Sequence, residues 1–160
     1  MPDTTRRDRV FLVVVDDSPE RHVALRYACL RVRASGGRVA LLRVVEPAEM
    51  TEWAGVDALL EEERREDAEK LLSGLAATVQ EITGGLPILL IREGDPRDAL
   101  LDLLEEDPRI SILVLAAAAA GSGPGPLIAA LTGRYGQRLR VPMTIVPAGL
   151  GEDDMQRVTL

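Results

Sequence analysis

Five short apolar runs, set apart by longer stretches of mixed polarity, constrain the fold of this 160-residue chain more than any other feature. The runs are residues 10–15, 39–45, 86–91, 110–115 and 141–146. Runs of this kind predict strands that are buried on both faces, and the stretches between them are long enough for helices. Strands that alternate with helices form a parallel sheet with helices on both faces. The sequence therefore predicts an α/β fold, a single domain built on an open parallel five-stranded sheet of the Rossmann-like type.

Glycine, proline and capping residues place the helices between these strands. The predicted helices are residues 19–34, 56–82, 96–107 and 126–139. Asp17 or Ser18 is the expected N-cap of the first helix, and Asp95 followed by Pro96 is expected to begin the third. The predicted divisions of the chain are an N-terminal extension (1–8), the domain (9–148) and a loose C-terminal tail (149–160).

The composition argues against several functional classes. With 26 acidic and 19 basic residues, the chain has a formal net charge of −7, so no nucleic-acid partner is expected. One cysteine, Cys29, and one histidine, His22, are too few for an intrachain disulfide or a structural zinc site. The first residues hold no apolar stretch of the secretory kind, and the longest apolar run is too short to cross a bilayer. A cytoplasmic protein without membrane contact is expected.

Two adjacent acids, Asp16 and Asp17, follow the first predicted strand. An acid pair of this kind holds Mg²⁺ in the receiver domains of response regulators. A receiver also needs an aspartate at the tip of its third strand and a lysine after a later strand. Here the third strand runs into residues 91–94, which contain no aspartate, and the single lysine, Lys70, lies inside the charged second helix. The sequence therefore argues against a phosphorelay function.

The acids would face a different segment if the first strand is central in the sheet. Ligands of open α/β sheets bind beyond the carboxyl ends of the strands, where the strand order reverses. Across that point from Asp16 lie residues 116–126, a loop that contains Gly121, Gly123 and Gly125. Glycine lets a ligand approach the main chain closely, and a carboxylate can accept its hydrogen bond. Two plainer interpretations stay open: the acids cap the next helix, and the glycines only permit tight turns.

Five segments together resemble the universal stress protein family across nearly the whole chain. They are VVVDDS at the end of the first strand, LLRVVEP at the second, REGDP after the third, ILVL in the fourth and VPMTIVP at the fifth. REGDP followed by an apolar helix and ILVL is the more specific combination. The resemblance implies an adenine nucleotide alpha hydrolase-like fold with strand order 3-2-1-4-5.

The resemblance also implies an adenosine site. In nucleotide-binding members of the family, the aspartate that matches Asp16 contacts the adenosine end of the ligand. The position that matches Val44 lines the adenine slot, although an ordinary core valine explains Val44 as well. The implied cofactor is ATP or AMP, with Mg²⁺.

The phosphate-binding loop departs from the family pattern. Counted back from the helix end, that pattern, Gly-x-x-Gly-x9-Gly-Ser/Thr, matches Ala120, Gly123, Gly133 and Arg134. Counted forward from the strand end, its first two glycine positions fall on Ala116 and Ala119. The first glycine is therefore an alanine, and the closing hydroxyl residue is an arginine. Arg134 either supplies a positive charge in place of the hydroxyl or lies on the surface. Prolines in the loop also lack an N–H group that could reach phosphate.

The resemblance further implies a homodimer in which the fifth strand pairs antiparallel with its copy. The implied interface residues are Val141, Met143, Thr144, Ile145 and Val146. Because no nucleophile–base pair or metal cluster can be read from the sequence, catalysis is the weaker class of hypothesis. The expected function is a stress-response regulatory module that acts by dimerisation and binding, with a degenerate nucleotide site. The alternative is an ATP- or AMP-binding protein with at most slow ATP hydrolysis.

Overall fold

The fold is given by a computed structural model that describes residues 9–47, 54–118 and 125–160, the side chains of 54–57 excepted. The strands are β1 (Val10–Val14), β2 (Arg38–Val45), β3 (Ile88–Glu93), β4 (Ile110–Ala116) and β5 (Met143–Val146). The helices are α1 (Arg21–Ser35), α2 (Ala54–Thr83), α3 (Pro96–Glu106), α4 (Pro126–Thr132) and α5 (Glu152–Thr159), with a 3-10 turn at Gly136–Arg138.

The strands of the described chain form one parallel sheet in the order β3-β2-β1-β4-β5, which confirms the predicted fold class. The central strand is β1: its Leu12 pairs with Ala40 of β2 on one side and with Leu113 of β4 on the other. The chain proceeds outward from β1 to β3 and then returns to β4. The strand order therefore reverses between β1 and β4, and a crevice opens beyond their carboxyl ends.

Alternate residues of β1 enter two separate hydrophobic layers, as the pleat of a strand requires. Phe11 and Val13 belong to the layer formed with α1 and α2, whereas Val10 and Leu12 belong to the layer formed with α3 and α4. A strand that is covered on both faces has to be apolar throughout, which explains the continuous run in the sequence. The buried strand therefore fixes the position at which the polar residues that follow it begin.

Two strands begin later than the sequence predicted. β3 begins at Ile88 and β5 at Met143, two residues after each predicted start. In both cases a proline, Pro87 or Pro142, directly precedes the strand, and proline cannot donate a hydrogen bond to a sheet. Val141 consequently lies outside β5, where it packs against the layer formed with α3 and α4.

The two expected N-caps have different outcomes. The Asp95 carboxylate accepts hydrogen bonds from the backbone N–H groups of Arg97 (2.9 Å) and Asp98 (3.3 Å), which confirms it as the cap of α3. The side-chain hydrogen bond from Arg97 lowers the pKa of Asp95 below its ordinary value. The prediction for α1 is wrong, because α1 begins at Arg21 and Glu20 occupies its N-cap position.

The helix predicted for residues 126–139 is interrupted at Gly133. Its backbone leaves the helical region there, with φ −106° and ψ −123°, although its N–H still donates to Ala129 and Ala130. A Cβ atom at Gly133 would lie 3.0 Å from the Ala129 carbonyl oxygen. Glycine therefore allows a tight exit from α4, and the chain continues as a short 3-10 turn.

The loose C-terminal tail predicted for residues 149–160 is wrong in one respect, because most of it forms α5. Met155 and Thr159 lie one helical turn apart on the same side of α5, and both are buried. Met155 enters the layer formed with α1 and α2. The Arg26 guanidinium on α1 donates two hydrogen bonds to the Glu152 carboxylate. Apolar burial and one ion pair therefore hold the segment against α1.

Candidate functional site

A cleft of about 920 Å³ lies at the carboxyl ends of β1, β2 and β4, at the predicted point of strand reversal. Its lining comes from the β1 exit (14–18), the β2 exit (43–46), one side of α2, the β4 exit and the start of α4 (125–128). This volume falls within the range of small-molecule and cofactor sites. The cleft is therefore large enough for a nucleoside or a nucleotide.

Asp16 lies at the mouth of the cleft, where β1 ends. Its Oδ1 atom accepts hydrogen bonds from the backbone N–H of Ser18 (2.9 Å) and from the Ser18 hydroxyl (2.6 Å). The Arg21 guanidinium donates to the Asp16 carbonyl oxygen at 3.1 Å. Asp16 therefore stabilises the turn before α1. Its second carboxylate oxygen has no hydrogen-bond partner among the described residues, so it can accept one from a ligand.

Arg43, on β2, binds the same turn from the other side. Its Nη1 donates to the Val15 carbonyl oxygen at 3.1 Å, and its Nη2 donates to Asp17 Oδ1 at 2.7 Å. The Arg43 side chain is 21% exposed, whereas that of Asp17 is 86% exposed. The guanidinium is thus fixed in the wall of the cleft, and the carboxylate reaches it from solvent.

The inner wall of the cleft is apolar. Val15, Leu115 and Ile128 are buried and line it, together with the half-buried Val44. Val44 also packs against the core layer formed with α3 and α4. Its contact with an adenine base stays a prediction. An apolar wall beside a carboxylate can receive an aromatic base and hydrogen-bond its polar edge or the attached sugar.

The charge of the cleft is predominantly negative. Its described lining includes five carboxylates, those of Asp16, Asp17, Glu20, Glu46 and Asp67. It includes two guanidinium groups, those of Arg43 and Arg64, and Arg64 donates to the Glu46 carbonyl oxygen at 3.0 Å. An excess of three negative charges disfavours the binding of phosphate, although most of these carboxylates are exposed and solvent screens their repulsion.

Of the glycines proposed to hold phosphate, the structure describes Gly125 and Gly133. Gly125 lines the cleft with φ +86°, a conformation that favours glycine. Gly121 and Gly123 lie outside the described residues. Gly133 and the exposed Arg134 follow the opposite end of α4 and do not line the cleft. A helix of this length separates its ends by about 10 Å.

Sequence reasoning missed the charged cleft residues that come from β2 and α2. Arg43 precedes Val44, Glu46 directly follows β2, and Arg64 and Asp67 lie one turn apart on α2. Arg43 did leave a signal, because it is a lone charge within the apolar run of β2. Its pairing with Asp17 joins residues 26 positions apart, so only the folded structure shows it.

Other reactive side chains lie apart from the cleft. Cys29 is fully buried in α1, and this burial raises the pKa of its thiol to about 12, which makes it unreactive. His22 is exposed and does not line the cleft. Within the described residues, no group of three or more side chains could hold a metal ion. The same residues include no helix that is long and apolar enough to span a membrane.

The strand order and the position of the cleft define a Rossmann-like α/β protein. Residues 9–147 match the model of the universal stress protein family. Since this match spans most of the sequence, the chain belongs to the universal stress protein family.

Solved structures of that family share the fold. The universal stress protein UspA from Lactobacillus plantarum aligns with a TM-score of 0.74 and 18% identity, over 88% of this chain and 98% of that one. A universal stress protein in complex with cAMP has a TM-score of 0.63 and 19% identity, over 86% and 96%. A family member from Arabidopsis thaliana with AMP bound has a TM-score of 0.60 and 16% identity, over 91% and 97%. No curated protein matches the sequence closely.

Proposed function

We propose that this universal stress protein is a regulatory module that binds the nucleoside end of an adenosine-containing ligand in the cleft. The observation that carries this proposal is an apolar wall, with Val44 in it, beside an Asp16 carboxylate oxygen that has no hydrogen-bond partner among the described residues. We assign the hydrogen bond to the ligand to Asp16 and the contact with the base to Val44. The cytoplasmic setting expected from the composition is part of the proposal.

The proposed ligand class is consistent with two proteins of similar fold, one solved in complex with cAMP and one with AMP bound. The negative charge of this cleft supports a site that binds the nucleoside of the ligand more tightly than its phosphates. Gly121, Gly123 and Gly125 would approach the ligand through their main chain. Gly133 and Arg134 would contribute only if the end of α4 moved toward the ligand.

The proposed mode of action is binding coupled to association of two copies through β5. Met143, Thr144 and Ile145 supply the accessible part of that strand, since Val146 is buried. Pro142 and Pro147 flank the strand and would limit pairing to these central residues. Binding of an adenosine compound in one subunit would then affect the other subunit through the paired β5 strands.

Calorimetric titration with adenosine, AMP and ATP, with and without Mg²⁺, tests the proposed function. We expect adenosine to bind with a dissociation constant in the micromolar range, about −8 kcal/mol. Asp16→Asn should weaken this binding by about tenfold or more, the factor given by about 1.4 kcal/mol. Asp153→Asn is the matched control, because it removes an equal charge from an exposed residue of α5 outside the cleft.

Two results would change the proposal. If no adenosine compound binds, the protein acts through its surfaces alone. If ATP with Mg²⁺ binds far more tightly than adenosine, the site still binds the phosphates. Slow ATP hydrolysis is then the function to measure.

A further inference from the structure

We propose that Asp17 is a specificity-determining residue: its carboxylate occupies the Arg43 guanidinium, so the cleft prefers an uncharged adenosine end to a phosphorylated ligand. This inference rests on the proposed function and adds the chemical class of ligand that the site selects. Two hydrogen bonds, to the Val15 carbonyl oxygen and to the Asp17 carboxylate, hold the Arg43 side chain at the exit of β1.

Arg43 is a preorganised anion-binding group. Its Nη1 is held by the Val15 carbonyl oxygen at 3.1 Å, and its side chain is largely buried in the wall of the cleft. The planar guanidinium matches the geometry of carboxylate and phosphate alike. Arg43 and Val44 extend from opposite faces of β2 and both line the cleft, so a phosphate on the side covered by α1 and α2 would meet a fixed cation.

The Asp17 carboxylate already forms an ion pair with that guanidinium. Its Oδ1 accepts from Arg43 Nη2 at 2.7 Å, and the carboxylate is connected to the wall of the cleft through the chain itself. An internal anion has a high effective concentration, so an external phosphate competes with it at a disadvantage. The pair is also a repulsive element against anionic ligands, because a displaced Asp17 would add an unpaired charge to an acidic cleft.

The second cation of the lining does not offer the same anchor. Arg64 lies on the exposed side of α2, and its described contact is to the Glu46 carbonyl oxygen. Because Arg64 is exposed, solvent and salt screen its charge more than that of the Arg43 guanidinium, which is 21% exposed. Selection against phosphate therefore depends on the pair formed by Asp17 and Arg43.

Asp17→Asn tests this inference directly, because it removes the competing charge while it keeps the size of the side chain. The affinities of adenosine and AMP are measured by calorimetry without divalent cations. We expect the ratio of AMP to adenosine affinity to rise by about tenfold, equivalent to about 1.4 kcal/mol. Glu20→Gln is the matched control: it removes an equal charge from the same cleft, and no described hydrogen bond joins Glu20 to Arg43. It should change the ratio much less.

A second measurement uses pyrophosphate alone as the probe and so does not depend on adenosine binding. Pyrophosphate should raise the melting temperature of the Asp17→Asn protein but not that of the wild type, since ligands stabilise the state that they bind. Adding Arg43→Met to Asp17→Asn should abolish this rise. The melting curves also report whether each variant is folded.

The outcomes separate the two proposals. Equal changes with Asp17→Asn and Glu20→Gln, or no change with either, would overturn the inference and leave adenosine binding in place. If adenosine binds none of the proteins, the proposed function fails, and the pyrophosphate result decides alone whether Asp17 blocks Arg43. A pyrophosphate response that persists without Arg43 would overturn that role as well.

Discussion

The position of a residue along β1 decides whether its side chain is buried in the core or faces the cleft. Inside the strand, alternate side chains are buried in one of two aliphatic layers. Immediately after the strand, the cover of helices ends, and polar residues such as Asp16 and Asp17 can meet a ligand. The change from core to site therefore takes place within two or three residues.

The contribution of one core residue can be measured with a matched pair of leucines. Leu101 on α3 is 0% exposed, whereas Leu59 on α2 is 65% exposed. We expect Leu101→Ala to lower the free energy of unfolding by about 2–5 kcal/mol, because it leaves a cavity in the layer formed with α4. Leu59→Ala should change it by less than about 0.5 kcal/mol. Urea unfolding of both variants checks this, and similar losses would contradict the assigned burial.

At the scale of elements, two glycines differ in the space that their surroundings leave for a side chain. Gly37 precedes β2 with φ +110°, and a Cβ atom there would lie 2.6 Å from the Arg9 carbonyl oxygen. That oxygen accepts the Arg38 N–H at 2.8 Å, so the close approach is part of the sheet. Gly74 lies within α2, and nothing would lie within 4 Å of its Cβ atom.

Alanine substitutions at these glycines should therefore have opposite signs. Gly37→Ala should destabilise the protein by more than about 1 kcal/mol, because of strain and collision with the backbone. Gly74→Ala should stabilise it by about 0.5–1 kcal/mol, because alanine favours the helix. The measurement is chemical denaturation at equilibrium, and destabilisation by Gly74→Ala would show that α2 packs more closely than described.

The attachment of α5 should depend on pH. The side-chain hydrogen bond from Arg26 lowers the pKa of Glu152 below its ordinary 4.5. A carboxyl group with a lowered pKa in the folded state contributes stability above its unfolded pKa and loses it as the pH falls through the folded value. Glu152→Gln should therefore reduce stability at neutral pH, and the difference from wild type should shrink in acid below that range.

Asp153→Asn is the control for this prediction, because Asp153 is exposed on the same helix and has no described hydrogen bond through its carboxylate. Urea unfolding across the acidic range measures both variants. A difference between Glu152→Gln and wild type that stays constant with pH would contradict the role of the ion pair.

The sequence predicted the elements better than it predicted the contacts between them. Continuous apolar runs gave the strands, and Asp95 with Pro96 marked the start of α3. Gly133 ended α4 early, because helix periodicity alone does not register a local break. Met155 is the one large apolar side chain in the first turns of α5. A single apolar residue is too weak a signal to predict that this segment packs against α1. The Arg43 contact with Asp17 depends on tertiary structure and left no local pattern.

At the scale of the whole molecule, the sheet has two edges, and one of them is proposed to pair with a second copy. Ile145 on β5 is 40% exposed, and Leu89 on β3 is 42% exposed. If the copies associate through β5, Ile145→Glu should convert the dimer to a monomer, since a buried unpaired charge opposes association. Leu89→Glu, with a similar exposure at the other edge, should remain dimeric.

Light scattering after size-exclusion chromatography measures the mass of each form, and circular dichroism shows that the variants are folded. A dimer that survives Ile145→Glu and dissociates with Leu89→Glu would place the interface at β3. A monomeric wild type would remove association from the proposed function.

The central claim is that the cleft beyond β1, β2 and β4 receives an adenosine end, and amide chemical-shift mapping by NMR tests it most directly. On addition of adenosine, we expect the largest shifts at Asp16, Val44, Ala116 and Gly125. A smaller groove at the opposite end of the sheet, lined by Val39 and Leu86 among others, serves as the internal reference and should not respond. Shifts that cluster at that groove, or no shifts at saturating adenosine, would contradict the account.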